Sequence, residues 1–379
     1  MATSAIGPGF LTQTSKFTEE LMASFGFVIL LSLLIDIGAQ VNIWRVVTMS
    51  RLYAQDIANR LFPGLGFMLA ALIAFGGLIF NIGNIAGCGL GLHSLAGLHP
   101  QSGAIISCIL ALAIFWYKEV GSLVDAFAKW LGVLMIAFTV YIAYASQPPV
   151  SEALYRTIWP ERTNALMIVT LVGGTVGGYI TFAGAHRLLE AGITGQNELK
   201  QVTISSISGI VITSVMRFVL FFAALGVVSQ GMHLDPVNPA ASVFEYASGT
   251  LGVRFFGFVM WCAAITSVVG ASYTSLSFFK TLSPFVQKHY RLLVSLFIIC
   301  STLIFLSVGN PVRLLIAAGA VNGLILPIAL SAMLLASRQS RIIGTYRHPL
   351  WLQVAGWLVV VIMSWMGIIA IGEGWKQLN

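Results

Sequence analysis

Two short stretches hold the residue types and spacing that could bind a ligand. The first is Ala5-Ile6-Gly7-Pro8-Gly9-Phe10-Leu11-Thr12-Gln13-Thr14. The second is Val172-Gly173-Gly174-Thr175-Val176-Gly177-Gly178-Tyr179-Ile180-Thr181. Pro8 cannot donate a helical hydrogen bond, and the glycines beside it weaken regular helix. The four glycines of the second stretch make it easy to unwind. Both lie in apolar surroundings, where an unwound backbone must line a cavity or be buried in protein. Its freed carbonyls can coordinate a cation, and the half-helix N-termini can face an anionic group. The candidate binding set is Gly7, Pro8, Gly9, Phe10, Gln13, Gly174, Thr175, Gly177, Gly178 and Tyr179. Backbone carbonyls of Gly7 and Gly174 are its candidate metal ligands. The plainer alternative is that such glycines only let helices pack closely. A pair of them in corresponding places favours a transport site.

A second group would serve a pathway or coupling. Asp36 sits in the middle of an apolar run, and an intramembrane carboxylate is a functional candidate by default. Its alternative role is a buried, hydrogen-bonded tie between helices. Arg45 lies too far along the same helix to pair with it. Asn81 and Asn84 are three apart, on one helical face, and Asn322 is a lone amide in a later apolar run. Arg217 needs a partner or a wet cavity, and no spacing names one. The six histidines make no HExxH-like pair, the glycine runs make no P-loop or nucleotide fingerprint, and the four cysteines show no metal-site spacing. Neither an enzyme nor a bound cofactor is expected.

These residues must be positioned by membrane helices. The 379-residue chain is 58% hydrophobic and only 9% charged, with a mean hydropathy of +0.90. A soluble protein is about 25% charged, so a water-soluble fold and a disordered chain are excluded. The net charge of +7 forms no basic stripe, so nucleic acid is not an expected partner. The expected partners are the lipid bilayer and a small ion or solute. Apolar runs of spanning length fall at about 25–47, 64–92, 101–117, 121–146, 165–186, 202–229, 250–279, 291–309, 312–336 and 350–372. With a broken first segment over 1–23 they make about eleven helices. Lys and Arg gather in the loops that an inward N-terminus places in the cytoplasm, such as Arg51, Arg60, Arg187, Lys200, Arg338 and Arg341. The expectation is therefore a multi-pass cell-membrane protein, N-terminus inside. Pro148-Pro149 and Trp159-Pro160 mark a mid-chain connection, and the span count on either side suits two five-helix inverted repeats plus one helix. The whole of 1–379 would be one transporter domain, with repeats at about 1–147 and 163–337 and an extra helix at about 350–372.

The two interrupted segments, together with Asn81-Ile82-Gly83-Asn84-Ile85-Ala86-Gly87 and the span from Leu314 to Arg341, resemble the NRAMP divalent-metal transporters. The likeness runs through nearly the whole chain in helix order. It implies an all-α, LeuT-like 5+5 inverted-repeat bundle with helices 1 and 6 broken, working by alternating access. The family breaks its first helix at Asp-Pro-Gly-Asn, where this chain has Gly7-Pro8-Gly9-Phe10. It carries Met-Pro-His in the sixth, where this chain has Gly177-Gly178-Tyr179. Asn81 and Asn84 match the Asp and Glu of its proton route. The family's inner half of helix one is essentially missing before Gly7, and a misassigned start at Met1 is the expected reason.

The resemblance implies a Mn/Fe/Mg-class cation as cargo. The thioether that favours soft transition metals is absent here, and no carboxylate stands at the expected centre. Three readings stay open: a cation that keeps much of its water, as Mg²⁺ does, a site built from other residues, or another substrate. The alternatives to metal transport are a permease for a small polar organic solute and a transport-inactive sensor. Asn81 and Asn84 cannot carry protons, so family-type proton coupling is not expected.

Overall fold

The computed structural model describes residues 7–378, and every described element is helical. In chain order the helices are α1 (Pro8–Leu21), α2 (Phe25–Ser50), α3 (Ala54–Leu61), α4 (Leu65–Ala96), α5 (Pro100–Trp116), α6 (Lys118–Ala145), α7 (Val150–Ile158) and α8 (Ala165–Thr175). They continue as α9 (Ile180–Glu190), α10 (Leu199–Ser229), α11 (Pro239–Ser277), α12 (Pro284–Lys288), α13 (Tyr290–Val308), α14 (Pro311–Ala336), α15 (Ser340–Ile343) and α16 (Leu350–Leu378). Their ends follow the punctuation of the sequence. Pro8, Pro100, Pro239 and Pro311 open helices, where a missing N–H costs nothing. Asn164, Asn238 and Asn310 each accept a backbone N–H as N-caps.

Eight stretches among the described residues are long and apolar enough to cross a membrane, or nine with the pair Gly132–Ala145 and Val150–Ile158, bent by 107°. One of the eight, Pro8–Ser50, is 43 residues long. At about 1.5 Å per residue a straight helix of that length would be about twice the hydrocarbon thickness. It is broken at Met22, whose φ of 52° and ψ of −136° are not helical, so it serves as two spans. The apolar helix Pro100–Trp116 is shorter, at 17 residues. Adding it and the second half of Pro8–Ser50 to the nine gives the eleven helices expected. The connections between the spans also hold helix. The segment 45–63 contains α3, 147–163 contains α7, and the 230–249 loop already begins α11, which kinks at Gly249.

The bundle is organised around α14, α4 and α8, with α2 packed on α10 and α11 along α4. Much of its outer surface is apolar. Ile109, Val215, Leu358, Val361, Trp365 and Ile368 are all exposed. Water would penalise such a surface, whereas lipid tails cover it at no cost. The inner seam is formed by small residues. A methyl on Gly173 of α8 would sit 1.9 Å from the carbonyl oxygen of Gly319 and 2.3 Å from the nitrogen of Gly323, both on α14. Only glycine lets these two backbones meet, and their contact sets the position of the break that follows.

Candidate functional site

The second glycine-rich stretch splits its labour. Gly173 and Gly174 stay helical in α8, and the chain unwinds over Val176–Tyr179 before α9 begins. Gly177 has φ of +24°, a conformation that side chains rarely adopt. Close packing and helix breaking are therefore both present, in successive halves of one motif.

The unwound N–H groups are recaptured. Gly177 N–H donates to the Val172 carbonyl (3.0 Å), Gly178 N–H to the Asn322 carbonyl (2.8 Å) and Tyr179 N–H to Asn322 Oδ1 (3.0 Å). A continuous helix would have given these three donors to the carbonyls of Gly173, Gly174 and Thr175. Asn322 on α14 thus holds the break open. Its own Nδ2 donates to the carbonyls of Gly76 (3.0 Å) and Ala318 (2.9 Å). The Tyr179 side chain is buried beside Phe80, with its hydroxyl donating to the Ala271 carbonyl.

The first stretch meets the second. Ala5 and Ile6 lie outside the described residues. Gly7 is the extended N-cap of α1, and its carbonyl accepts the Leu11 N–H at 3.2 Å. Pro8 packs on Gly87 of α4, where an added methyl would lie 2.1 Å from its ring. Gln13 is sealed between three helices. Its Nε2 donates to the Leu315 carbonyl on α14 at 3.0 Å. Its Oε1 lies against Gly174 of α8 and has no hydrogen-bond partner among the described residues. Gly9 faces the same Gln13 side chain and Leu315. The two interrupted segments, far apart in sequence, are therefore neighbours.

Arg217 of α10 is the site residue whose surroundings the sequence does not reveal. It is 2% exposed. Its Nη1 donates to Thr175 Oγ1 at 2.8 Å, and its Cζ lies 4.4 Å from the centre of the Phe10 ring. A guanidinium therefore stands between the end of α8 and the first turn of α1. Its Nε and Nη2 have no hydrogen-bond partner among the described residues. The buried Asp36 on α2 is the acid whose charge reaches it. Both Asp36 oxygens are unpartnered among the described residues, and no ion pair within 4 Å closes there. A lone cation in a span was the available signal. Its partners come from three other helices, so no local spacing could name them.

Asn81 and Asn84 stand apart from this junction. Asn81 Nδ2 donates to Ser272 of α11 and Ser301 of α13, at 3.0 Å each, tying three helices together. Asn84 is buried one turn along α4, its Nδ2 unpartnered among the described residues. The described residues contain no group of three or more His, Cys, Asp or Glu side chains able to hold a metal ion.

The chain is 56% identical over 378 residues to the uncharacterized membrane protein YcsG of Bacillus subtilis, covering 100% of this chain and 94% of that one. It is 23% identical over 309 residues to the divalent metal cation transporter MntH of the same organism, covering 78% and 72% of the two chains. The fold matches that of the Eremococcus coleocola manganese transporter, with a TM-score of 0.72 at 15% identity, over 98% of this chain and 84% of that one. The fold is LeuT-like, with many membrane-spanning helices. A family model for natural resistance-associated macrophage protein-like sequences matches residues 1–373, and the chain belongs to that family of membrane transporters, the Nramp family.

Proposed function

We propose that this protein is a secondary transporter working by alternating access, with its substrate held where the unwound Val176–Tyr179 segment meets the first turns of α1. One observation carries the reading. A membrane helix is broken in its interior, and Asn322 on another helix holds the break while the Gly173, Gly174 and Thr175 carbonyls lose their helical donors. In this reading one transporter domain holds two repeats, about 1–147 and 163–337, and an extra helix at about 350–372. The N-terminus faces the cytoplasm, because the Lys/Arg-rich loops then lie inside.

Family membership makes a divalent cation the leading cargo. The oxygens offered to it are neutral: the Gly7 and Gly174 carbonyls, those beside Gly174, and Gln13 Oε1. Such donors suit a cation that keeps part of its water, as Mg²⁺ does, better than a dehydrated Mn²⁺. Asn81 is engaged with two serines and cannot titrate, which argues against family-type proton coupling. The test is uptake of Mn²⁺ and Mg²⁺ by proteoliposomes carrying a cation gradient, with luminal pH followed. Cation entry without acidification is the expected result. Entry with stoichiometric acidification would restore proton coupling.

A second reading, a permease for a small polar organic solute on the same fold, is favoured by the Arg217 guanidinium bonded to Thr175 at the break. A fixed positive charge there repels a metal ion and attracts an anion.

A further inference from the structure

We propose that the junction of the two breaks recognises a small organic carboxylate, which binds the free edge of the Arg217 guanidinium. The inference rests on the alternating-access reading above and names the substrate class of the second reading.

Arg217 is held in a fixed orientation by Thr175 on one side and the face of Phe10 on the other. Its remaining donors, Nε and Nη2, are buried and have no partner among the described residues. Buried guanidinium donors are expensive to leave empty, and in nearly all native proteins such groups are bonded. The planar N–H fork matches a carboxylate in a way that no other common cellular group except phosphate does. A phosphate would bring more charge than the single Arg217 guanidinium can balance here. A single carboxylate therefore fits best.

Nearby acceptors define the rest of the ligand. Gln13 Oε1 and both Asp36 oxygens are buried and unpartnered among the described residues. They need N–H or O–H donors. Gln13 lies one helical turn from Phe10, and Gly174, against which its Oε1 rests, precedes Thr175 in the chain. The complementary molecule is a small carboxylic acid that also bears a hydroxyl or amide N–H. Asp36 would balance Arg217 while the site is empty and would take up a proton when the carboxylate binds, so that neither state carries net charge into the membrane interior.

The experiment uses the purified full-length protein and its thermal unfolding. The probes are matched pairs, namely lactate and lactamide, and N-acetylglycine and N-acetylglycinamide, together with Mn²⁺ and Mg²⁺. The expected result is that at least one acid raises the unfolding midpoint while its amide does not. In R217K, which keeps the charge but loses the fork, apparent affinity should fall by about tenfold or more. In R217Q the shift should vanish. A monodisperse R217K with a lost shift carries the conclusion if R217Q does not fold. The proposal is overturned if none of the acids shifts the midpoint, if an amide matches its acid, or if R217K binds as tightly as the parent. Acid-dependent stabilisation without vesicle uptake supports the carboxylate site and counts against the transport reading instead.

Discussion

Asn322 and Arg217 are both polar side chains sealed inside the bundle, and they are treated in opposite ways. Asn322 is fully committed, with two donors spent on carbonyls of α4 and α14 and its side-chain oxygen accepting from the unwound Tyr179. Arg217 spends one nitrogen on Thr175 and stacks on Phe10, while two others are idle among the described residues. A saturated buried amide fixes geometry, because every movement breaks a bond that water cannot replace. An unsaturated buried cation does the reverse and gains from any ligand that completes it. The same junction thus contains a clamp and an incompletely bonded cation, and the two respond differently to mutation.

The largest effect should follow from N322A. It leaves the Tyr179 N–H and two carbonyls without their partner and opens a small void. At about 1 kcal/mol for each lost bond, the cost is about 3 kcal/mol. Thermal unfolding in detergent should fall by several degrees, and uptake should be lost with it. A variant with parental stability would show that Asn322 is not the clamp.

The Asp36–Arg217 relation should behave differently. D36N or R217Q alone leaves one buried charge uncompensated. The groups are not in contact, so each single variant should cost about 2 kcal/mol, less than the ~3–5 kcal/mol of a broken contact pair. The D36N/R217Q double variant should recover to within about 1 kcal/mol of the parent, yet bind and carry nothing. Additive losses in this cycle would break the comparison, because both charges would then be independent structural ties.

How far the sequence reveals these groups depends on whether their partners are local. The spans were legible because apolar length alone determines a membrane helix, and observed ends such as Phe25, Leu65 and Leu350 lie close to those expected. The second break was legible because glycines carry it in sequence. Its extent was not, because the packing of Gly173 against Gly319 keeps the first two glycines helical. Asn322 was visible as a lone amide, but its task depends on α8 and α4, far away along the chain. Arg217 was visible as an unpaired cation, whereas Thr175, Phe10 and Asp36 meet it only after three other helices have packed around it. Helix α7 was hidden inside a connection because it is too short for a spanning pattern.

His348 lies outside the spans and combines both behaviours, satisfied when neutral and strained when charged. Its Nε2 lies 2.8 Å from Asn42 Oδ1, while Asn42 Nδ2 is already donating to Gly38 and Leu352 carbonyls. Burial, then the nearby Arg45 charge, lowers its pKa to about 4. The folded state therefore favours the neutral ring. Its contribution is complete above the unfolded pKa near ~6.5 and is lost as pH falls toward 4. Because the ring is partly exposed, the loss should be about 1 kcal/mol after solvent screening. Unfolding midpoints at pH 7.5 and 4.5 should differ less in H348N than in the parent. An equal fall in both would assign the acid sensitivity elsewhere.

The smallest effect is expected at Gly7, and it tests where rigid geometry ends. The residue is extended, with φ of −96° and ψ of 179°, and a methyl added there meets nothing within 4 Å. At Gly177, by contrast, the same methyl would lie 2.2 Å from the Gly173 carbonyl, on a backbone with positive φ. G7A should therefore change stability by less than about 0.5 kcal/mol. If Gly7 serves through its carbonyl, alanine retains that group, and uptake should also be unchanged. A folded G7A protein with lost uptake would mean that Gly7 works by changing its backbone conformation during the transport cycle. The first break would then be the moving partner, and the Asn322-held break its fixed counterpart.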